Sequence, residues 1–375
     1  MSLFVGLMSG TSLDGVDGVL AELEPADSGR DVIRVVAHLA APMTAGLREQ
    51  LLQLNSRGDN ELHRAALAAN QLMRVYAQVV QQLLRGSGVR PTQVRAVGAH
   101  GQTVRHRPQE FDAPGYTLQL MNGALLAELC GIDVICDFRS RDLAAGGQGA
   151  PLVPALHAAL FAEPGEDVAV LNLGGIGNLT LLPAQGLVLG FDCGPGNVLL
   201  DAWCRSHQAT AYDEDGRWAA SGTVDQALLR HLLAEPYLAR LPPKSTGRDL
   251  FNAPWLEKIL KLAGSSTRAD DVQATLAEFS VCAATDALRR HAPQTRRLLV
   301  CGGGALNSHL MRRLAAQLPA TTVESTAARG VAPQQVEALA FAWLARAFDA
   351  RQPGNLASVT GAHGPRVLGA LYPAG

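Results

Sequence analysis

Apolar residues come first in the run Leu3 to Met8 and, after the small polar segment Ser9 to Asp14, at the alternate positions Val16, Gly18 and Leu20. A strand, a tight turn and a second strand account for this pattern, because successive strand side chains point to opposite faces. From Asn60 to Arg85 the period changes: Leu62, Ala66, Ala69, Leu72 or Met73, Tyr76, Val80 and Leu83 recur at helical spacing, and Gly86 with Gly88 stops the run. Val94 to Gly98 predicts a buried strand running out at His100, Gly101, Gln102 and Thr103. Thr117 to Cys130 predicts a helix leading into a strand at Val134 to Asp137.

The stretch Leu143 to Pro154 (LAAGGQGAPLVP) breaks regular structure with Gly, Ala and Pro, and marks a domain crossing. Expected limits are residues 1–142 for an N-terminal domain and 143–350 for a C-terminal one, with 351–375 packing back on the first. Beyond the crossing, Val168 to Leu173, Gly174 to Gly177 and Leu179 to Leu182 repeat the opening plan of strand, glycine turn and strand, in design rather than in letters. A strand at Leu187 to Phe191, helices at Val198 to His207 and Ala269 to His291, a strand at Leu298 to Cys301, a helix near Asn307 and one at Val336 to Phe348 follow. Alternating strands and helices favour an α/β fold.

Composition narrows the class. The chain's 375 residues, 47% of them hydrophobic, suit two cored domains or one large one. A net charge of -2, spread along the chain, gives no electrostatic footprint for nucleic acid or an anionic membrane, so a small substrate is expected. Met1 to Val5 enter a strand-like segment with no basic region before a cleavable apolar stretch. No window approaches ~18 apolar residues, and a cytoplasmic protein is expected. The six cysteines show no Cys-x-x-Cys spacing and read as reduced thiols rather than as a zinc cage or disulfide framework.

Glycine turns stand at strand ends in Ser9 to Gly15, Gly174 to Gly177, Gly194 to Gly196 and Gly302 to Gly304. Any one is most simply a tight turn; together they suit a nucleotide cradle, since a backbone without Cβ lets N–H donors approach phosphate oxygens. The chain has only three lysines, Lys244, Lys258 and Lys261, none preceded by glycine, so no Walker-type loop exists. If ATP binds, another fold must hold it, and the hairpin plan repeated at Gly174 suits a clasp of two hairpins, one per domain, around the β- and γ-phosphates. A carboxylate near the first hairpin, Asp14 or Asp17, would organise Mg²⁺ water, although Asp14 equally suits an Asx turn. Asp192, before Gly194-Pro195-Gly196, is placed either as a general base at a strand's carboxyl end or as a turn or cap aspartate. His100, Gln102 and Thr103 at a strand end, Arg139 in the alternation Asp137, Arg139, Arg141, Asp142, and Glu337 at the start of its helix could each contact a substrate or serve a structural bond.

The stretches GLMSGTSLDGVD (6–17), GAHGQTVRHRP (98–108), DFRSRDLAAGGQGAPLVP (137–154), LNLGGIGNLT (171–180), GFDCGPGNVLLDAWC (190–204), PKSTGRDLFN (243–252), CGGGALN (301–307) and VTGAHGPRVLGALYP (359–373) resemble the 1,6-anhydro-N-acetylmuramic acid kinases. These are sugar kinases of the acetate kinase, heat-shock protein 70 and actin superfamily. The likeness is essentially end to end and unlike ordinary hexokinase-type relatives; Cys193 stands where Thr is expected and Gly177 where Ala is expected. The resemblance implies two actin-like (ribonuclease H-like) domains flanking a nucleotide and sugar cleft. It also implies a homodimer, and Mg²⁺-ATP-dependent conversion of 1,6-anhydro-N-acetylmuramic acid and water to N-acetylmuramic acid 6-phosphate in cell-wall recycling.

On that reading Asp192 is the catalytic base. Gly10, Thr11, Ser12, Leu13, Asp14, Gly15, Val16, Asp17, Gly174, Gly175, Gly302, Gly303 and Gly304 hold ATP, with Asp14 reaching Mg²⁺ through water. His100, Gln102, Thr103, Arg139 and Glu337 face the sugar. A kinase for another hexose or amino sugar, and a non-catalytic actin-like nucleotide switch, are the alternatives.

Overall fold

The computed structural model describes residues 2–10, 13, 15–24, 32–247, 249–264 and 268–375. The opening apolar run forms strand β1 (Ser2–Met8), followed by β2 (Gly15–Glu24) and β3 (Val32–Pro42). β4 (Val94–Ala99), β5 (Gln102–Pro108), β6 (Gly115–Leu120) and β7 (Val134–Cys136) come next. β8 (Val168–Leu173), β9 (Ile176–Leu182) and β10 (Leu189–Pro195) lie beyond the glycine-rich stretch, then β11 (Arg297–Cys301), β12 (Thr322–Ser325) and β13 (Ala370–Tyr372).

The strands form a six-stranded sheet in the order β13-β7-β4-β1-β2-β3, a five-stranded sheet in the order β10-β9-β8-β11-β12, and a β5-β6 ribbon. Within each large sheet the first strand pairs antiparallel with the second, the second antiparallel with the third, and the first parallel with the fourth. Counted within each half, both sheets run third-second-first-fourth-fifth, the ribonuclease H-like order of actin-like domains. The repeat seen as apolar strand, glycine turn and apolar strand is therefore a repeat of topology.

The chain divides into two compact units, Met1–Leu160 with Gln335–Gly375, and Phe161–Gln334. These limits fall later than residue 142 and earlier than residue 350. The glycine-rich stretch stays with the first unit because Gln148 N–H donates to Thr360 O at 2.8 Å and His363 N–H to Ala145 O at 2.8 Å. The helix Val336–Asp349 also belongs to the first unit, since it lies against β1 and β4: a Cβ at Gly6 would sit 2.0 Å from Ala338 O, and one at Gly98 1.9 Å from Phe341 O. Such close approach of helix to sheet is open only to glycine. Residues 351–375 end in β13, which pairs antiparallel with β7.

In the first unit, Leu72, Met73, Tyr76, Val79 and Val80 of the helix Glu61–Ser87 pack on Val5, Leu7, Val16, Leu20 and Val97. Gly88 closes that helix in the left-handed conformation, φ 69°. In the second unit the helix Ala269–His291 is buried along most of its length, and Leu276, Phe279 and Val281 share a core with Leu171, Leu179 and Phe191.

Two expectations are corrected. Thr117 to Cys130 is not one helix: Gly115–Leu120 alternates and pairs with β5, and the helix is Gly123–Cys130, capped by the Asn122 side chain on Leu125 N–H at 3.0 Å. The strand expected to stop at Phe191 continues to Pro195, so Asp192 lies within β10, opposite Asn178, at a register shift between Asp192 and Gly194. A bulge of this kind re-aims a side chain while the strand continues.

Candidate active site

In the first unit, β1 ends at Met8 and the chain turns through Ser9, which is fully buried. Ser9 Oγ lies 3.0 Å from Gly101 O and 2.9 Å from Tyr76 Oη. Its single proton goes to the carbonyl, so the tyrosine hydroxyl donates to the serine. Gln102 Nε2 donates to Gly10 O at 3.3 Å, and Leu13 N–H closes a turn onto Gly10 O at 3.2 Å with Leu13 at φ 59°. The first hairpin is therefore pinned by Tyr76 and Gln102. Leu13 and Val16 point into the core, and a Cβ at Gly15 would meet Ala41 O at 2.4 Å. Asp17 lies on β2, 3.4 Å from His38 Nε2. Thr11, Ser12 and Asp14 lie outside the described residues.

Of the residues expected to face the sugar, the fold joins His100 and Arg139. The guanidinium donates to His100 Nε2 from Nε at 3.2 Å and Nη2 at 2.9 Å, and from Nη1 to Gly149 O at 2.7 Å. His100 must therefore accept at Nε2 and carry its proton on Nδ1. Burial, then the neighbouring arginine, pull its pKa down to about 3, so it stays neutral at physiological pH. Burial draws Arg139 down to about 10, opposed by the carboxylates of Glu337 and then Asp142. The ion stays charged at neutral pH, and among the described residues one hydrogen on each Nη has no acceptor, which leaves a fork for an outside one. His100 also packs on Phe341, ring centroids 4.8 Å apart, on the same helix as Glu337. Gln102 is buried, with Oε1 unpaired among the described residues. Thr103 Oγ1 accepts from Gln119 Nε2 at 3.2 Å on the β5-β6 ribbon and is not in this cluster.

In the second unit three glycine turns meet. Asn197 N–H donates to Gly174 O at 2.8 Å, and Gly196 N–H to Gly175 O at 2.9 Å. Gly302, at φ 77°, brings its turn against Asn172 and Leu173; a Cβ there would sit 2.3 Å from Asn172 Oδ1. The protein itself thus requires glycine at 302. At Gly174, Gly175 and Gly303 it does not: none has a left-handed φ, and among the described residues an added Cβ would meet nothing nearer than 3.7, 3.9 and 4.0 Å respectively. Neither strain nor packing selects glycine at these three. The backbone there is bare and open-faced, a surface that would suit the phosphates of a nucleotide.

Asp192 is half-buried on β10. Thr246 N–H donates to its Oδ2 at 2.9 Å, its own N–H donates to Lys244 O at 3.2 Å, and Tyr237 O–H donates to its carbonyl at 2.9 Å. Segment 244–246 thus clamps the carboxylate on one side. Burial pushes its pKa up to about 6, with the Thr246 N–H and Lys244 holding it from going higher. Lys244 Nζ donates to Leu238 O at 3.1 Å and stands 5.0 Å above the Tyr237 ring. The Cys193 thiol donates to Gly177 O at 3.2 Å, and a Cβ at 177 would lie 3.3 Å from the sulfur. The two departures from the family pattern therefore touch each other. Tyr76, Tyr237, Lys244 and Thr246 are the site residues that pattern and spacing did not single out. Tyr76 read as one more apolar position of its helix, and Thr246 contributes only a backbone N–H.

The half-buried Asp192 carboxylate thus lies on the strand that leads into the glycine turns of a doubled ribonuclease H-like fold, the frame of actin-like proteins. The family model for anhydro-N-acetylmuramic acid kinase matches residues 2–374. The chain is 62% identical over 379 aligned residues to the anhydro-N-acetylmuramic acid kinase of Variovorax paradoxus, covering 99% of both chains. It is 56% identical to that of Cupriavidus metallidurans, covering 99% of this chain and 97% of the other, and 59% identical to that of Bordetella petrii, covering 99% and 96%. The chain belongs to the anhydro-N-acetylmuramic acid kinase family.

Proposed function

We propose that the chain converts 1,6-anhydro-N-acetylmuramic acid, water and ATP to N-acetylmuramic acid 6-phosphate and ADP, as a step in recycling cell-wall fragments. The observation that carries the reading is Asp192: a carboxylate held on one oxygen by Thr246 N–H, on the strand that runs into Gly194-Pro195-Gly196. Its other oxygen takes a proton from water as the water oxygen bonds to the anomeric carbon and the bond from that carbon to O6 breaks. The released O6 attacks the γ-phosphorus, and the bond from that phosphorus to the β,γ-bridging oxygen breaks, leaving ADP. A carboxyl group with a pKa of about 6 returns its proton to solvent at neutral pH, which readies the base for another turnover.

Gly174, Gly175 and Gly303 present backbone to the phosphates from the second unit, with Gly302 and Gly304, packed against Asn172 and Leu173, shaping the turn, and Gly10, Leu13, Gly15, Val16 and Asp17 belong to the first unit's hairpin. Mg²⁺ bound with ATP would neutralise charge on the transferring phosphoryl group. No cluster of three or more His, Cys, Asp or Glu side chains suited to a metal occurs among the described residues. Asp14 would act toward the Mg²⁺ through water. In the first unit the remaining hydrogens of Arg139 Nη1 and Nη2 form a fork for the lactyl carboxylate, and His100 and Glu337 fix that fork. Gln102 Oε1 accepts from a sugar hydroxyl, with Thr103 nearby on β5. Among the described residues no helix is long and apolar enough to cross a membrane. We take the enzyme to work in the cytoplasm as a homodimer, as the family pattern supports.

Turnover in heavy-oxygen water tests the reaction: the label is expected on the anomeric hydroxyl of the product. Label in the phosphate instead would mean plain ATP hydrolysis, and equal turnover on an open-ring amino sugar would point to an ordinary hexosamine kinase.

A further inference from the structure

Asp142 is wholly buried, yet among the described residues all of its hydrogen-bond partners are neutral. Gly149 N–H donates to Oδ2 at 2.7 Å; Asn355 Nδ2 and Thr360 Oγ1 donate to Oδ1 at 2.6 and 2.8 Å. The Thr360 hydroxyl has one proton, and Leu356 O lies farther off at 3.4 Å, so that proton goes to the carboxylate. A carboxyl group buried among neutral donors is costly to charge unless it has a cationic neighbour. The neighbour is Arg139, three residues earlier, whose guanidinium is drawn toward its charged form by Glu337 and Asp142.

The connection is also mechanical. Gly149, whose N–H is held by Asp142, is the residue whose carbonyl takes Arg139 Nη1 at 2.7 Å. Gly149 has φ 69°, and a Cβ at Gly147 would sit 2.2 Å from Asp142 Oδ2, so the loop is wrapped tightly around the carboxylate. Thr360 holds the loop twice, through its hydroxyl on Asp142 and its carbonyl on Gln148 N–H at 2.8 Å. Asn355 is itself fixed, its Oδ1 accepting from Arg366 N–H at 2.7 Å. The C-terminal segment thus holds Gly149 through its N–H, and the carbonyl of the same residue orients the arginine.

We infer that Asp142, locked by Asn355 and Thr360, is a positioning residue for Arg139, and that the C-terminal segment thereby sets how strongly the enzyme prefers a sugar bearing a carboxylate. This rests on the reading of Arg139 as the carboxylate fork. A loosened loop leaves the base and the glycine turns of the second unit alone, so the cost falls on recognition of the acidic substrate.

The test uses the full-length enzyme and two substrates, 1,6-anhydro-N-acetylmuramic acid and its lactyl carboxamide. A charge-assisted fork should make the ratio of kcat/KM for acid over amide at least ~10 in the unaltered enzyme. Arg139→Met should bring that ratio near ~1; if the ratio survives, the carboxylate reading of Arg139 has failed and the inference falls with it. Given loss in Arg139→Met, Thr360→Val should lower the ratio at least ~5-fold through KM for the acid, and Thr360→Ser should restore it. Asp142→Asn should act in the same direction as Thr360→Val. A Thr360→Val enzyme that handles acid and amide equally less well, or that loses only melting temperature, would show a purely structural latch and overturn the inference.

Discussion

Replacing Asp192 by Asn separates the electrostatic cost of the base from its use. The amide keeps the size of the carboxyl and can still accept Thr246 N–H, now 2.9 Å from Oδ2. What it removes is a charge whose burial raises the pKa from 3.8 to about 6, which at ~1.4 kcal/mol per tenfold is a penalty of about 3 kcal/mol on the folded, ionised state. Partial exposure and the amide's own desolvation reduce the expected gain for Asn to about 1–3 kcal/mol. The sign follows from linkage: with the folded pKa raised, aspartate favours the folded state most below pH 3.8 and loses that contribution as pH rises through about 6. Thermal unfolding of the two proteins at matched pH should therefore show little difference near pH 4. The advantage of Asp192→Asn should grow through pH 5 and 6 and level off above, on the order of 3–8 °C for a unit of this size. Turnover at pH 7.5 should fall at least ~100-fold while ATP binding survives. A melting difference that does not change between pH 5 and 8 would refute the buried-carboxylate account; a variant with near-normal turnover would refute the assignment of the base.

The glycine turns divide by the same logic. Gly175→Ala should leave the melting temperature within ~1 °C yet raise KM for ATP at least ~10-fold, whereas Gly302→Ala should destabilise the fold by ~1 kcal/mol or more because of its positive φ and the contact with Asn172. Differential scanning and initial rates on both variants check this; a Gly175→Ala enzyme with unchanged KM would remove that turn from the phosphate site. Lys244→Met keeps the packing on Tyr237 but takes away a charge that favours ionised Asp192, so the acid limb of kcat/KM should move to higher pH. An unmoved limb would mean that Thr246 N–H alone, and not Lys244, restrains the base.

Period and turn chemistry in the sequence were enough for most of the scaffold. The helices at residues 269–291 and 336–349, the opening hairpin and the doubled strand-turn-strand plan follow from where apolar residues recur and where glycine interrupts them. They failed at residues 115–120, where an alternating ribbon runs on into a helix and one apolar count covers both. They failed again at β10, whose bulge keeps Asp192 inside a strand the pattern had ended. The motifs likewise marked His100, Arg139 and Asp192 without saying what each touches. Only the tertiary structure joins His100 to Arg139, and sets Thr246 N–H on Asp192, 54 positions away. Only there does Thr360 reach Asp142, 218 positions away. Local pattern records which face of an element is buried. It does not record how deeply a titratable group is buried or which distant backbone N–H, guanidinium or hydroxyl reaches it; burial sets the protonation of each group proposed for the chemistry, and the arriving partner trims that shift and fixes its aim.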